Sequence, residues 1–163
     1  MPLRLILFLA LSILTLACSS PKYASAHDRS NSSSTANKSL VRFESSASFA
    51  PIMEKASKLD KPIFLEFYTS WCAPCKLMDK DVFTHRETAN FLNGHFVNYK
   101  VNAEKGNGPD LAVIYSVKSF PTLLFLDESG KVLLRHEGVA YHQTLKEIGQ
   151  IVLDQKKSLT MER

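Results

Sequence analysis

The chain has 163 residues, room for one domain of ordinary size with short appendages. Hydrophobic residues make up 45% and charged residues 22%, a balance that supports a packed core without disulfide staples. The formal net charge is +4, but lysine and arginine are scattered among acids with no basic block, which argues against nucleic acid as a partner.

Residues 1–17 read MPLRLILFLALSILTLA. Arg4 supplies a positive start. Residues 5–17 form an apolar run of 13 residues, enough for a signal-peptide core and short of the roughly 20 a spanning helix needs. The run ends in Thr15-Leu16-Ala17-Cys18-Ser19-Ser20, which resembles the lipobox of bacterial lipoproteins. Ala17 fits the small residue before the cut and Cys18 the lipidated cysteine. Thr15 departs from the leucine common three residues before it. The resemblance implies a signal peptide over 1–17, cleaved before Cys18. It also implies a lipid-anchored protein of the bacterial cell envelope, facing the periplasm or extracytoplasmic space. A cleaved signal with a chance cysteine and an uncleaved anchor are the alternatives. The chain has three cysteines, at 18, 72 and 75; lipidation of Cys18 leaves only the last two in the mature domain.

Residues 18–39 are rich in Ser, Ala and Asn, without apolar periodicity. They read as a flexible tether. The domain then spans 40–163. Residues 40–43 read as a short strand. Ser48 offers an N-cap, and Phe49, Ile52, Met53, Ala56 and Leu59 recur at helical spacing, with Pro51 in the first turn. Residues 63–68, Ile-Phe-Leu-Glu-Phe-Tyr, are almost continuously apolar, as expected of a central strand covered on both faces. A helix is predicted from about Cys72 to Phe83, and a second from Thr84 to Asn93-Gly94. Residues 96–101 read as a strand, 110–115 as a short helix, 121–126 and 131–137 as strands joined by a turn at 127–130, and 141–156 as a last helix. Helices between the early strands imply parallel crossovers, and the terminal hairpin is antiparallel. The fold class is α/β, a mixed sheet flanked by helices on both faces.

The chemistry concentrates in Trp71-Cys72-Ala73-Pro74-Cys75-Lys76. Two cysteines separated by two residues at a helix start lie about one turn apart and can close a disulfide. The first sits where unpaired N–H groups and the helix dipole favour a thiolate, which makes it the attacking group and leaves it open to solvent. The second, more enclosed, resolves the mixed disulfide.

With its preceding strand, this segment resembles the active-site stretch of the thioredoxin superfamily. The likeness runs over about residues 40–156. It is greatest to the thioredoxin-like domains of periplasmic disulfide reductases, the C-terminal domain of DsbD among them, through residues 80–85 and an insert at 90–96. The resemblance implies a thioredoxin fold and a thiol–disulfide oxidoreductase with Cys72 and Cys75 as its redox pair. It carries further roles onto matching positions. Phe120-Pro121-Thr122 corresponds to the cis-proline loop that faces the substrate backbone. Glu66 stands at the buried acid that relays a proton for the second cysteine, and Lys100 at its accompanying lysine. Gly138 corresponds to the glycine by the substrate groove. Trp71 and Pro74 would line that groove. Three departures stand out: Phe120 is bulkier than usual, Ser119 replaces a common glycine, and Glu66 is one methylene longer than the usual aspartate.

Bland roles compete: a structural disulfide, a solvated Glu66, and Lys100 as a mere ion-pair partner. The histidines read as solvent-exposed and show no ligand spacing, so no metal is expected. The redox-active disulfide is the only cofactor-like group expected. Ala-Pro between the cysteines is more like the Gly-Pro of reducing thioredoxins than the Pro-His of strong oxidants, which favours a reductase. A disulfide oxidase or isomerase, or a non-catalytic binding module, is the rival. Expected partners are protein thiol and disulfide clients and a membrane electron donor, with the protein a monomer.

Overall fold

The structure, a computed structural model, describes residues 38–161. The predicted signal peptide, Cys18 and the tether up to residue 37 lie outside the described residues. Among those described, no helix is long and apolar enough to cross a membrane.

The elements run β1 (Phe43–Glu44), α1 (Ala50–Leu59), β2 (Ile63–Tyr68), α2 (Ala73–Leu77), α3 (Arg86–His95), β3 (Val97–Asn102), α4 (Gly108–Ile114), β4 (Thr122–Leu126), β5 (Val132–Glu137) and α5 (His142–Met161). They form one five-stranded sheet in the order β1-β3-β2-β4-β5. β1 and β2 run parallel to β3, β4 runs antiparallel to β2, and β5 runs antiparallel to β4. This is the α/β thioredoxin fold that the sequence predicts.

β2 is central because it is apolar on both faces. Phe64 packs with Phe83, Leu92, Phe96 and Phe125 under α3 and α5. Ile63, Leu65 and Phe67 pack on the opposite face with Ile52, Ala56 and Leu111 of α1 and α4. The one acid in the strand, Glu66, therefore has nowhere to go but inward, opposite Lys100 of β3 and Leu123 of β4. At the far end of β3, α4 starts so close to the strand that a Cβ at Gly108 would sit 1.8 Å from the Asn102 carbonyl oxygen. Only glycine fits there.

Several local expectations are corrected. Ser48 does not cap α1; Phe49 precedes the helix in αR conformation with no side-chain cap bond. Were Ser48 the cap, its N3 position would fall on Pro51, which has no N–H, leaving only the N2 donor of Ala50. The N–H groups of Ile52 and Met53 both bond to the Phe49 carbonyl instead. The first strand is shorter and later than predicted because residues 40–42 are held by helix ends. Leu40 and Val41 N–H both donate to the Phe83 carbonyl. The Asn93 side chain accepts from Arg42 N–H (2.8 Å) and donates to Leu40 O (3.0 Å).

The helix after the cysteines changes type: α2 passes into a π-helical turn over Met78–Val82, where Phe83 N–H reaches back to Met78 O. Residues 90–95 of the expected insert form the second half of α3. Three of the described histidines, His85, His136 and His142, are half-buried rather than solvent-exposed as expected. Packing of α3 against α5 stacks half-buried His85 on His142, ring centroids 3.9 Å apart, with the buried Thr88 hydroxyl 3.4 and 3.3 Å from their Nδ1 atoms.

Candidate active site

β2 delivers the chain to a turn at Thr69, and Cys72 N–H bonds back to the Thr69 carbonyl (3.3 Å). Cys72 is extended (φ −67°, ψ 103°) and serves as the N-cap of α2. Its Sγ accepts a hydrogen bond from Cys75 N–H at 3.1 Å. That is the capping geometry by which Ser or Asp satisfies a helix start, here performed by sulfur. The same donor and the aligned peptide dipoles favour a negative charge on that sulfur once the bond is reduced.

Cys72 and Cys75 form a disulfide with Cα atoms 5.3 Å apart. The predicted open position of Cys72 is corrected in this oxidised state. It is 3% exposed and Cys75 is 1%, so Cys72 is the outer member of a nearly buried pair. The disulfide and the Cys75 N–H both draw its sulfur in over the first turn. Ala73, Pro74 and Trp71 around it are exposed.

Trp71 is 65% exposed yet held at both ends. Its Nε1–H donates to Glu104 Oε1 (2.9 Å), and its ring meets Phe120 edge-on at 6.0 Å between centroids. The Phe120–Pro121 bond is cis. Pro121 is buried and its carbonyl accepts from Gly138 N–H (2.8 Å). Gly138 has φ +91°, the left-handed region that favours glycine. Thr122 Oγ1–H donates to the Ser119 carbonyl (2.7 Å) and Ser119 Oγ–H to Glu137 (2.9 Å). Trp71, Phe120, Pro121 and Gly138, far apart in sequence, thus form one linked rim.

Beneath α2 lies a charged cluster. Glu66 is fully buried, and burial pushes its carboxyl up to about 7; the nearby Lys100 ammonium opposes that rise and Asp79 adds to it. Lys100 Nζ lies 3.2 Å from Glu66 Oε2, but neither oxygen of Glu66 has a hydrogen-bond partner among the described residues. The ammonium instead hydrogen-bonds Asp79, and it sits over the Tyr68 ring, 4.6 Å from the centroid. The structure therefore brings Glu66 and Lys100 together and adds an acid that sequence reasoning missed. Asp79 stands four residues after Cys75, one helical turn along the same face, and that spacing was its available signal. Glu104 was also missed; it lies in a loop with no motif to mark it.

These features converge on one comparison. A family model described as a thioredoxin-like domain matches residues 49–152. The chain belongs to the thioredoxin-like family. It is 32% identical over 134 residues to the thiol:disulfide interchange protein DsbD of Actinobacillus pleuropneumoniae, a match covering 80% of this chain and 22% of that protein. It is 33% identical over 103 residues to the chloroplastic thioredoxin Y2 of Arabidopsis thaliana, covering 55% of this chain and 58% of that one. The chain thus spans only part of the length of these curated relatives. A solution structure of a candidate disulphide-isomerase from Bacteroides thetaiotaomicron superposes with a TM-score of 0.62 at 36% identity, over 71% of this chain and 95% of that one. The thioredoxin-like domain here places its cysteine pair at the helix start that follows the central strand.

Proposed function

We propose that this thioredoxin-like domain is an extracytoplasmic thiol–disulfide oxidoreductase that reduces protein disulfides through Cys72 and Cys75. The observation that carries the reading is the Cys75 N–H bond to Cys72 Sγ at the start of α2, with Cys75 in disulfide contact behind it.

In the reduced protein, the Cys72 thiolate attacks one sulfur of a client disulfide. A mixed disulfide forms and a client thiolate leaves, taking a proton from solvent. Cys75 gives up its proton and attacks Cys72 Sγ. The mixed disulfide breaks, the second client thiol leaves, and the Cys72–Cys75 disulfide remains. Two electrons have passed to the client. Glu66, poised near 7, is the nearby group suited to take the Cys75 proton near neutral pH. Lys100 and Asp79 set its affinity for that proton. Trp71, Pro74, Phe120, Pro121 and Gly138 form the rim against which an extended client segment lies. No cofactor beyond the cysteine pair enters the cycle.

The lipobox-like Cys18 supports a lipid anchor at the bacterial envelope, with the domain on its tether outside the cytoplasm. Likeness to a protein named for thiol:disulfide interchange supports protein clients; in this scheme a membrane electron donor, within reach of the anchored domain, returns the disulfide to the dithiol. The protein acts as a monomer in this scheme.

Equilibration with glutathione or dithiothreitol buffers tests the direction. The reductase reading predicts a potential nearer the roughly −270 mV of thioredoxin than the roughly −120 mV of a strong oxidant. A value at the oxidising end would make the domain a disulfide donor instead. Insulin reduction by wild type and Cys72→Ser separates either from a binding module, for which the two rates would be equal.

A further inference from the structure

The segment that presents Phe120 to the groove has few hydrogen bonds of its own. Ser116, left-handed at φ +50°, and Val117 still bond back into α4, their N–H groups donating to the Val113 and Ala112 carbonyls. From Lys118 to Phe120, no main-chain group bonds to another main-chain group among the described residues. The pairing resumes only after the cis bond, where Gly138 N–H donates to Pro121 O. The residues just before that bond therefore depend on side chains for their setting.

Most of those side chains come from the edge strand β5. Arg135 and Glu137 stand two residues apart on one face of it, opposite Leu124 and Thr122 of β4. Arg135 Nη2 donates to the Tyr115 carbonyl, where α4 ends. Glu137 Oε2 accepts from Ser119 Oγ–H at 2.9 Å. Arg135 Nη1 lies 3.5 Å from Glu137 Oε1, which ties the two grips together. β5 thus holds the loop at both ends, and Thr122 Oγ1–H adds a bond to the Ser119 carbonyl (2.7 Å). The glycine common at position 119 would offer no hydroxyl to Glu137. Phe120 packs on the core and meets Trp71 edge-on, so a shift of this loop moves the rim. The Glu137 side chain is 50% exposed. A hydrogen bond so close to water adds little to global stability, yet this one fixes a stretch that has few others.

We infer that Ser119, Glu137 and Arg135 are positioning residues for protein clients. They hold residues 115–120 so that Phe120 and the main chain before Pro121 meet an extended client segment beside Trp71. The sulfur exchange itself does not need them. The inference rests on reading this rim as the client groove.

Rate constants for reduction of insulin and of dithionitrobenzoate by the reduced full chain test it. The small disulfide reaches Cys72 without lying along the groove. Ser119→Ala and Glu137→Ala are each expected to slow insulin reduction about three- to tenfold, the fold-change of one hydrogen bond, with the dithionitrobenzoate rate and the reduction potential kept. Arg135→Gln is expected to show the same selective loss. The double variant Ser119→Ala/Glu137→Ala is expected to be no slower than either single one, because the same bond is lost in all three. Glu137→Gln keeps an acceptor for Ser119 and is expected to retain most of the insulin rate. In the oxidised protein, NMR order parameters of the Lys118, Ser119 and Phe120 amides are expected to fall in the alanine variants, with melting temperatures near wild type. Unmoved insulin rates, equal loss with both disulfides, an additive double variant, unmoved order parameters, or Glu137→Gln as slow as Glu137→Ala would each overturn the inference. A wild type that reduces neither disulfide refutes the redox reading and the inference with it; a wild type that reduces both while the variants match it refutes the inference alone.

Discussion

Replacing Asp79 by Asn tests the charged cluster beneath the cysteines. Lys100 lies 3.2 Å from Glu66 and also hydrogen-bonds Asp79. The two carboxylates thus share one ammonium and stand within the roughly 4–6 Å over which charges shift one another's protonation. At an effective dielectric of about 20 and a separation of about 5.5 Å, their repulsion is about 3 kcal/mol, equivalent to about two pKa units. Asp79 is 45% exposed, and solvent screening cuts this to about one unit. Removing its charge also frees Lys100 to bond Glu66 alone. Both changes favour the Glu66 carboxylate. Its midpoint should fall from about 7 by about one unit or more. Carbon-13 NMR of the labelled Glu66 carboxyl reads the midpoint directly in the oxidised protein, where the cysteines do not titrate. The acid limb of the insulin-reduction profile should move the same way. An unmoved midpoint would mean that Asp79 is electrostatically silent, and an upward shift would reverse the assigned sign.

Three further outcomes follow from particular contacts. Glu66 holds its proton to about pH 7 in the folded chain, against its ordinary 4.5, so the folded state binds more protons between these values and stability falls as pH rises through that window. The cost above it is on the order of 3 kcal/mol; Glu66→Gln should gain stability relative to wild type between pH 5 and pH 8, by roughly 1–3 kcal/mol in urea unfolding, and a gain that shrinks with pH would contradict the burial argument. Glu104→Ala should loosen Trp71, the chain's one tryptophan, lowering its fluorescence anisotropy while stability changes by less than about 0.5 kcal/mol; an unchanged anisotropy would leave the indole held by Phe120 alone. Gly108→Ala should cost more than about 2 kcal/mol, because its Cβ meets backbone rather than a movable side chain, and a melting temperature equal to wild type would refute that close approach.

The fold was readable because its determinants are local and strong. Continuous apolarity at 63–68 marks a strand covered on both faces, and alternating helical stripes mark the crossovers. The cysteine pair, Trp71, Phe120–Pro121 and Gly138 were readable as motif positions. What escaped were features made by competition between neighbours. Pro51 removes one of the two donors that Ser48 could cap, a detail visible in sequence only when positions are counted from the cap. The Asn93 amide pulls residues 40–42 away from the sheet across 51 positions of chain, which no local pattern encodes. The π-helical turn and the pairing of Asp79 with Lys100 belong together: a polar residue on the inner side of a helix finds its partner only once the sheet is assembled. The near burial of Cys72 is a property of the assembled loop and helix start, which residue order alone does not encode.

The claim that Cys72 is the attacking sulfur has a direct measurement. Reduced Cys75→Ala is mixed with insulin, quenched in acid and digested without reductant, and the linked peptides are mapped by mass spectrometry. The account predicts one stable mixed disulfide, joined to the peptide that contains Cys72 and absent from Cys72→Ser. An adduct that persists in Cys72→Ser, or no adduct in Cys75→Ala, would contradict it.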